Sequence, residues 1–129
     1  MRNRQIPHAE WVRFFDGFTR RHQGWLATLR VTGPRLGAQI EAKDLPLEGI
    51  VVDAEARGPI SILLGSGPKA NVEHPVERPE QVWVELAEDG AEAALEILSS
   101  GDTRTILEFR AAALPEMVDG LAGEPPTGA

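Results

Sequence analysis

Three histidines, a lysine behind a glycine-rich turn and several neighbouring acids are the groups whose types and spacing bear on chemistry in this 129-residue chain. Histidine titrates near neutral pH, so His8, His22 and His74, with Glu10, Glu73 and Glu77 nearby, are the candidates for acid–base work or metal ligation. None of them stands in a metal-binding spacing: HExxH is absent, and "HPVE" holds one histidine in a proline-interrupted stretch. His74 reads as a loop residue and His8 as an exposed residue near a helix start, and no metal or cofactor is expected. "LLGSGPKA" puts Gly65, Gly67 and Lys69 after an apolar run, but a P-loop needs GxxxxGK[ST] opening a helix, and Pro68 argues against one. The stretch reads as a turn, with Lys69 kept as an anion contact.

Asp53 and Glu55 share one face of a proposed strand, and a solvated acidic face outweighs a catalytic pair there. Glu85, Glu88, Asp89 and Glu92 read as a solubilising loop in preference to a divalent-cation site, since the calcium-loop pattern is missing. The chain has no cysteine and no tyrosine, which removes thiolate nucleophiles, disulfides and phenolic acid–base groups together. No serine sits in GxSxG or SxxK.

The element that must position the most promising of these groups is "EWVRFFDGFTRRHQGW", which holds two of the three tryptophans and three of the four phenylalanines. Pro7 suits a helix's first turn, and Trp11, Phe14, Phe15, Phe18 and His22 recur at helical spacing along one apolar stripe. Arg13, Asp16 and Arg20 fall on the opposite side, Asp16 and Arg20 as an i, i+4 pair, and Gly24 is the expected stop. Gly17 inside the helix suggests a close packing contact. His22 lies at the helix C-terminus, where the dipole favours a protonated ring and a partly buried imidazole needs a partner. A structural role is the first expectation for it. The sharper one is that His22, with Trp11 or Trp25, lines a small pocket between helix and sheet.

From Trp25 onward the period changes to alternation. "WLATLRVT" sets Ala27, Leu29 and Val31 against Thr28 and Arg30, and "GAQIEAKD" sets Ala38, Ile40 and Ala42 against Gln39, Glu41 and Lys43. "GIVVDAEAR", "PISILLG", "QVWVEL", residues 94–99 and "TRTILEFR" follow as strand-like runs, the last two joined by a "GD" turn. "TGPRLG", "DLPLEG", "ARGP" and "GSGPKAN" read as turns, and "EHPVERPE" as a proline-punctuated connection. Short joints favour antiparallel neighbours. The expected fold is therefore α+β: an N-terminal amphipathic helix packed on a mostly antiparallel, strongly bent sheet or partly closed barrel of about six to seven strands. Residues 1–119 form the expected single domain and 120–129 a flexible tail.

The net charge of −7 is divided unevenly: residues 1–35 hold seven arginines against Glu10 and Asp16, a balance of +5, and the remainder holds six basic and eighteen acidic residues, a balance of −12. A mostly acidic surface repels phosphate, so nucleic acid is a disfavoured partner. The arginine face, Arg13, Arg20 and Arg21, is the surface for a protein partner if it does not simply pack on the acidic sheet. No apolar segment follows the N-terminal arginines, and the longest strongly apolar run is "ISILL", so no membrane is expected and the location is read as cytoplasmic. Trp83 alternates away from Val82 and Val84, which would make a homodimer through that face attractive if it is exposed.

Taken together, "IPHAEWVRFFDGFTRRHQGW", "GAQIEAKDLPLEGIVVD", "TRTILEFR" and "LPEMVDG" resemble an uncharacterised family of small bacterial proteins in the domain-of-unknown-function series, DUF5335. The resemblance spans nearly the whole chain and implies a bacterial, single-domain protein, without an activity, cofactor or catalytic residue to carry over. Function is therefore read as a non-catalytic module binding a protein partner or small ligand. The alternative is a small enzyme or ligand sensor whose pocket would use Trp11, His22, Trp25, Asp53, Glu55 and Lys69.

Overall fold

A computed structural model describes residues 2–52, 58–65 and 71–110. Asp53, Glu55, Lys69, the "LPEMVDG" segment and the expected tail at 120–129 lie outside the described residues. The chain opens with strand β1 (Arg2–Ile6), passes through a single 3-10 turn at His8–Glu10 and enters helix α1 (Trp11–His22). Seven strands follow: β2 (Leu26–Gly33), β3 (Gly37–Val52), β4 (Ile60–Leu64), β5 (Val72–Val76), β6 (Pro79–Leu86), β7 (Glu92–Ser99) and β8 (Thr103–Phe109).

All pairings are antiparallel, and the eight strands form one sheet in the order β1-β6-β7-β8-β2-β3-β4-β5. β1 and β5 are its two ends, so the sheet does not close into a barrel. Eight strands replace the six or seven expected, through three differences. "GAQIEAKD" and the start of "GIVVDAEAR", residues 49–52, belong to one strand, because the backbone runs through "DLPLEG" without turning back; 53–57 lie outside the described residues. Asp44 takes a positive φ of 54°, and the ladder carries irregularities on either side of Leu29 and again between Leu47 and Gly49. Such bulges bend a strand without ending it. Secondly, "RNRQI" pairs with β6 as an added edge, where polar composition hid a strand whose side chains point mostly to water. Thirdly, "VEHPV" pairs with β4, so His74 stands on an edge strand rather than in a loop. Proline is tolerated there because its missing N–H can face away from the ladder.

β3 is the corner of the molecule. Its first half pairs with β2 and its second half with β4, so the sheet turns along this one strand. The curvature brings β5 across to the ends of β7 and β8, where residues of all three strands and Val31 of β2 line one hollow. The bulge beside Leu29 also reverses an expected face: Ala42 is buried opposite Leu29, but Ile40 falls opposite Arg30 and is 60% exposed.

The concave side is filled by α1. Trp11, Phe15 and Phe18 join Leu29, Leu47, Ile50, Ile60, Ile62, Leu64, Val82, Leu95, Ile97 and Leu107 in one core, while Arg13, Asp16 and Arg20 stay in water as the helical period requires. Polar bonds fix the helix on the second half of β3. Thr19 Oγ1 accepts from the Ile50 N–H at 3.0 Å, and Gln23 Nε2 donates to the Glu48 carbonyl at 3.2 Å. After the helix Gly24, at φ 89°, donates its N–H to the Leu47 carbonyl. That left-handed conformation is one glycine adopts without strain.

Candidate functional sites at the two ends of the helix

The C-terminal end of α1 carries His22 into an aromatic enclosure. Its ring stacks on Phe109 at 4.7 Å between centroids, leans on Phe18 at 4.4 Å and meets the edge of Trp25 at 4.6 Å, leaving the residue 3% exposed. Both ring nitrogens face protein oxygens. Nδ1 lies 2.8 Å from the Phe18 carbonyl, which can only accept, so Nδ1 carries the proton in the neutral ring. Nε2 lies 3.3 Å from Glu92 Oε1. Glu92 in turn receives two parallel bonds from Arg21, Nε to Oε1 and Nη2 to Oε2, both at 3.0 Å. Burial pushes the His22 pKa below its ordinary value of 6.5, an effect that Arg21 adds to and that the Phe18 hydrogen bond and Glu92 only partly offset. At neutral pH the ring is therefore uncharged, the Arg21 fork holds Glu92, and the His22–Glu92 contact becomes an ion pair only on protonation.

Sequence reasoning found His22 and Trp25 but missed Glu92, which it placed in a solubilising loop. A tight turn explains the difference: the Ala87 N–H donates to Ala91, and Asp89 Oδ1 accepts from the Ala91 N–H, so Glu92 starts β7 directly beneath the helix end. Gly17 has a local reason too. A Cβ there would lie 2.8 Å from Arg21 Nη1, so the glycine leaves space for the guanidinium to fold back over its own helix. The close approach comes from Arg21 and not from another element. Outside the aromatic enclosure, Arg4, Arg21, His22, Trp25 and Glu92 border a shallow depression of about 520 Å³. Of the other arginines in the predicted partner face, Arg20 pairs with Asp16, and Arg13 is exposed.

At the N-terminal end of α1 a second cleft, of about 410 Å³, lies between His8, Trp11 and Val52 on one side and Arg78, Glu80 and Ser100 on the other. Trp11 is 4% exposed, and its indole N–H donates to the Ile6 carbonyl at 3.0 Å, tying β1 to the helix start. His8 is exposed and packs its ring against Trp11 at 4.2 Å. Arg78 holds a positive φ of 47°, and its carbonyl accepts from the Ser100 N–H at 3.1 Å, so the far wall is fixed backbone to backbone. Trp11 and His22 therefore belong to different hollows, one at each end of the helix, and do not combine as one pocket. No group of three histidine, aspartate or glutamate side chains among the described residues is placed to hold a metal ion.

The outer face of the sheet is the remaining surface that the sequence singled out. Trp83 lies on it, half-buried, with its indole N–H donating to Gln81 Oε1 at 2.9 Å. The ion pairs Arg30–Glu108 at 2.9 Å and Arg104–Glu96 at 2.7 Å lie on the same face. Among the described residues no helix is long and apolar enough to cross a membrane.

The chain belongs to the Family of unknown function (DUF5335), whose model matches residues 2–117. It is similar to an uncharacterised protein of Aquifex aeolicus (strain VF5), 27% identical over 117 residues that cover 90% of this chain and 100% of that one. No solved structure matches it.

Proposed function

We propose that this DUF5335 member is a non-catalytic binding module whose ligand sits in the cleft at the start of α1. The observation that carries the reading is the make-up of that cleft: the buried Trp11 indole at its base, with His8, Arg78, Glu80 and Ser100 as polar groups around it. An apolar base with a few fixed polar groups is the composition of small-molecule sites. Its far wall is held by the Ser100–Arg78 backbone bond, which favours a preformed site over one assembled on binding.

Two features argue against catalysis. A general base must reach a substrate proton, yet His22 has Nδ1 on the Phe18 carbonyl and Nε2 beside Glu92, so neither nitrogen is open to a ligand in the neighbouring depression. Ser100 is the one hydroxyl residue lining the Trp11 cleft, and no hydrogen bond joins it to an imidazole among the described residues. The cysteine-free sequence supports a cytoplasmic location.

Binding is tested by nuclear magnetic resonance on the ¹⁵N-labelled full chain, screened against mixtures of small polar metabolites. Saturable shifts of the Trp11 indole and the Ser100 amide are the expected result. Shifts confined to the Trp25 indole and the Ala91 amide would move the site to the other end of the helix and overturn this reading.

A further inference from the structure

The inner face of the sheet changes character towards one end. On β7 it runs Leu95, Ile97, Ser99, and on β8 Phe109, Leu107, Thr105, Thr103, with Ile97 paired to Thr105 and Ser99 to Thr103. The apolar members belong to the core, whereas Ser99 and Thr105 are hydroxyl residues buried to 7% and 2% exposure. Buried hydroxyls are nearly always hydrogen-bonded. Ser99 Oγ has no hydrogen-bond partner among the described residues. Ser99 and Thr105 line a hollow of about 240 Å³ between these strand ends and β5, with His74 and Arg78 on its other side. The hollow adjoins the Trp11 cleft, for Arg78 and Ser100 line both.

The charges select the ligand class. Among the described residues Arg78 is the one guanidinium lining the two hollows, against the carboxylates of Glu77 and Glu80, so their balance disfavours an anion. Serine and threonine hydroxyls both donate and accept, and four of them line the smaller hollow: Ser99, Ser100, Thr103 and Thr105. A ligand that itself donates and accepts at closely spaced hydroxyls uses both capacities of this lining, whereas an oxyanion would use only its donors.

We infer that the hollow at the ends of β7 and β8 binds a small neutral polyhydroxylated molecule, a polyol or sugar. The Ser99 side chain, whose Oγ is sealed from solvent in this structure, rotates to bond one of the ligand's hydroxyls, and the rest of the molecule extends past Arg78 towards Trp11. The inference gives the ligand class for the binding-module reading and rests on it.

The test titrates the labelled full chain with glycerol and myo-inositol, with inorganic phosphate as the anionic probe, and repeats the titrations on Ser99→Ala and Thr105→Val. With the polyols the Ser99, Ser100 and Thr105 amides are expected to shift saturably, and with phosphate they are not. Losing one neutral hydrogen bond weakens binding about five-fold. Ser99→Ala should show that loss while keeping the wild-type melting profile, because alanine leaves no buried polar atom behind. If Ser99→Ala does not fold, the near-isosteric Thr105→Val is read in the same way. Unchanged polyol affinity in a folded variant would mean that Ser99 Oγ stays sealed from the ligand, overturning the inference while leaving the binding module intact. Shifts with phosphate alone would overturn the ligand class. Absence of shifts around both hollows, with these probes and with the metabolite mixtures, would remove the inference and the functional reading together.

Discussion

Each end of α1 sets a histidine against a tryptophan, and the two pairs have opposite fates. His8 meets Trp11 at 4.2 Å between ring centroids and stays exposed; His22 meets Trp25 at 4.6 Å and is sealed in. The difference comes from what each residue packs on. His22 is one helical turn beyond Phe18 and lies over Phe109, with Glu92 and Arg21 closing the remaining side. His8 precedes the helix on a single 3-10 turn and, among the described residues, has one aromatic neighbour. Identical chemistry thus serves the core at one end and the rim of a cleft at the other, and burial decides between them.

The sharpest way to break this contrast is to remove what seals His22. Phe18 is 0% exposed and touches Phe14, Phe109 and His22. Phe18→Ala is expected to cost about 3–5 kcal/mol, read from urea unfolding, because the rigid surroundings leave a cavity as well as losing the buried area. Next in size is Glu92→Gln. A neutral amide loses the charge-assisted fork to Arg21, and the expected loss is about 1–3 kcal/mol. It also removes an influence that raises the His22 pKa, so the His22 titration followed by nuclear magnetic resonance should move to still lower pH. A titration that stayed in place would show that Glu92 does not sense the ring.

Much of this was legible in the sequence, and the failures have specific causes. The stripe Trp11, Phe15, Phe18, His22 has the helical period, and all four residues are buried. Alternation located β2 and β6, which have one apolar face for the core and one polar face for water; β4 was legible as a short apolar run, and β7 and β8 through the turn that joins them as a hairpin. It failed where the pattern carried no such contrast. β1 is polar at four of its five positions, and its pairing with β6 depends on a partner some eighty residues away in the chain. β5 contains a proline that only an edge tolerates, and edge position is a tertiary property. "DLPLEG" has turn residues, yet β3 uses them to bend. At the candidate site His22 announced itself through its place on the stripe. Glu92 could not, since a carboxylate 70 residues from its imidazole carries no local signal. The orphan hydroxyl of Ser99 was equally silent, for one serine ending an apolar strand looks like the start of a turn.

The His22 end should also respond to pH. A histidine whose folded pKa lies below the unfolded value of 6.5 binds fewer protons folded than unfolded between those two values. Stability from the neutral ring is therefore fully present above the unfolded pKa and is lost progressively as pH falls towards the folded one. Unfolding followed from pH 7.5 to 5 should show this decline in the wild type, and His22→Gln, which has no proton to take up, should flatten it. An unchanged slope in the variant would place the acid sensitivity elsewhere.

The smallest expected effect is at the other histidine. His8 is exposed, its side chain donates no hydrogen bond among the described residues, and it touches Trp11 by ring contact. Its truncation in His8→Ala should change stability by no more than about 0.5 kcal/mol, the range for surface positions. Trp11 keeps its bond to the Ile6 carbonyl in that variant, so β1 remains tied to the helix. If His8 serves the cleft, its loss should weaken a ligand bound there while leaving the urea midpoint in place. A large stability loss would show instead that both ends of the helix rest on their histidines, and the distinction between a sealed end and a binding end would fall with it.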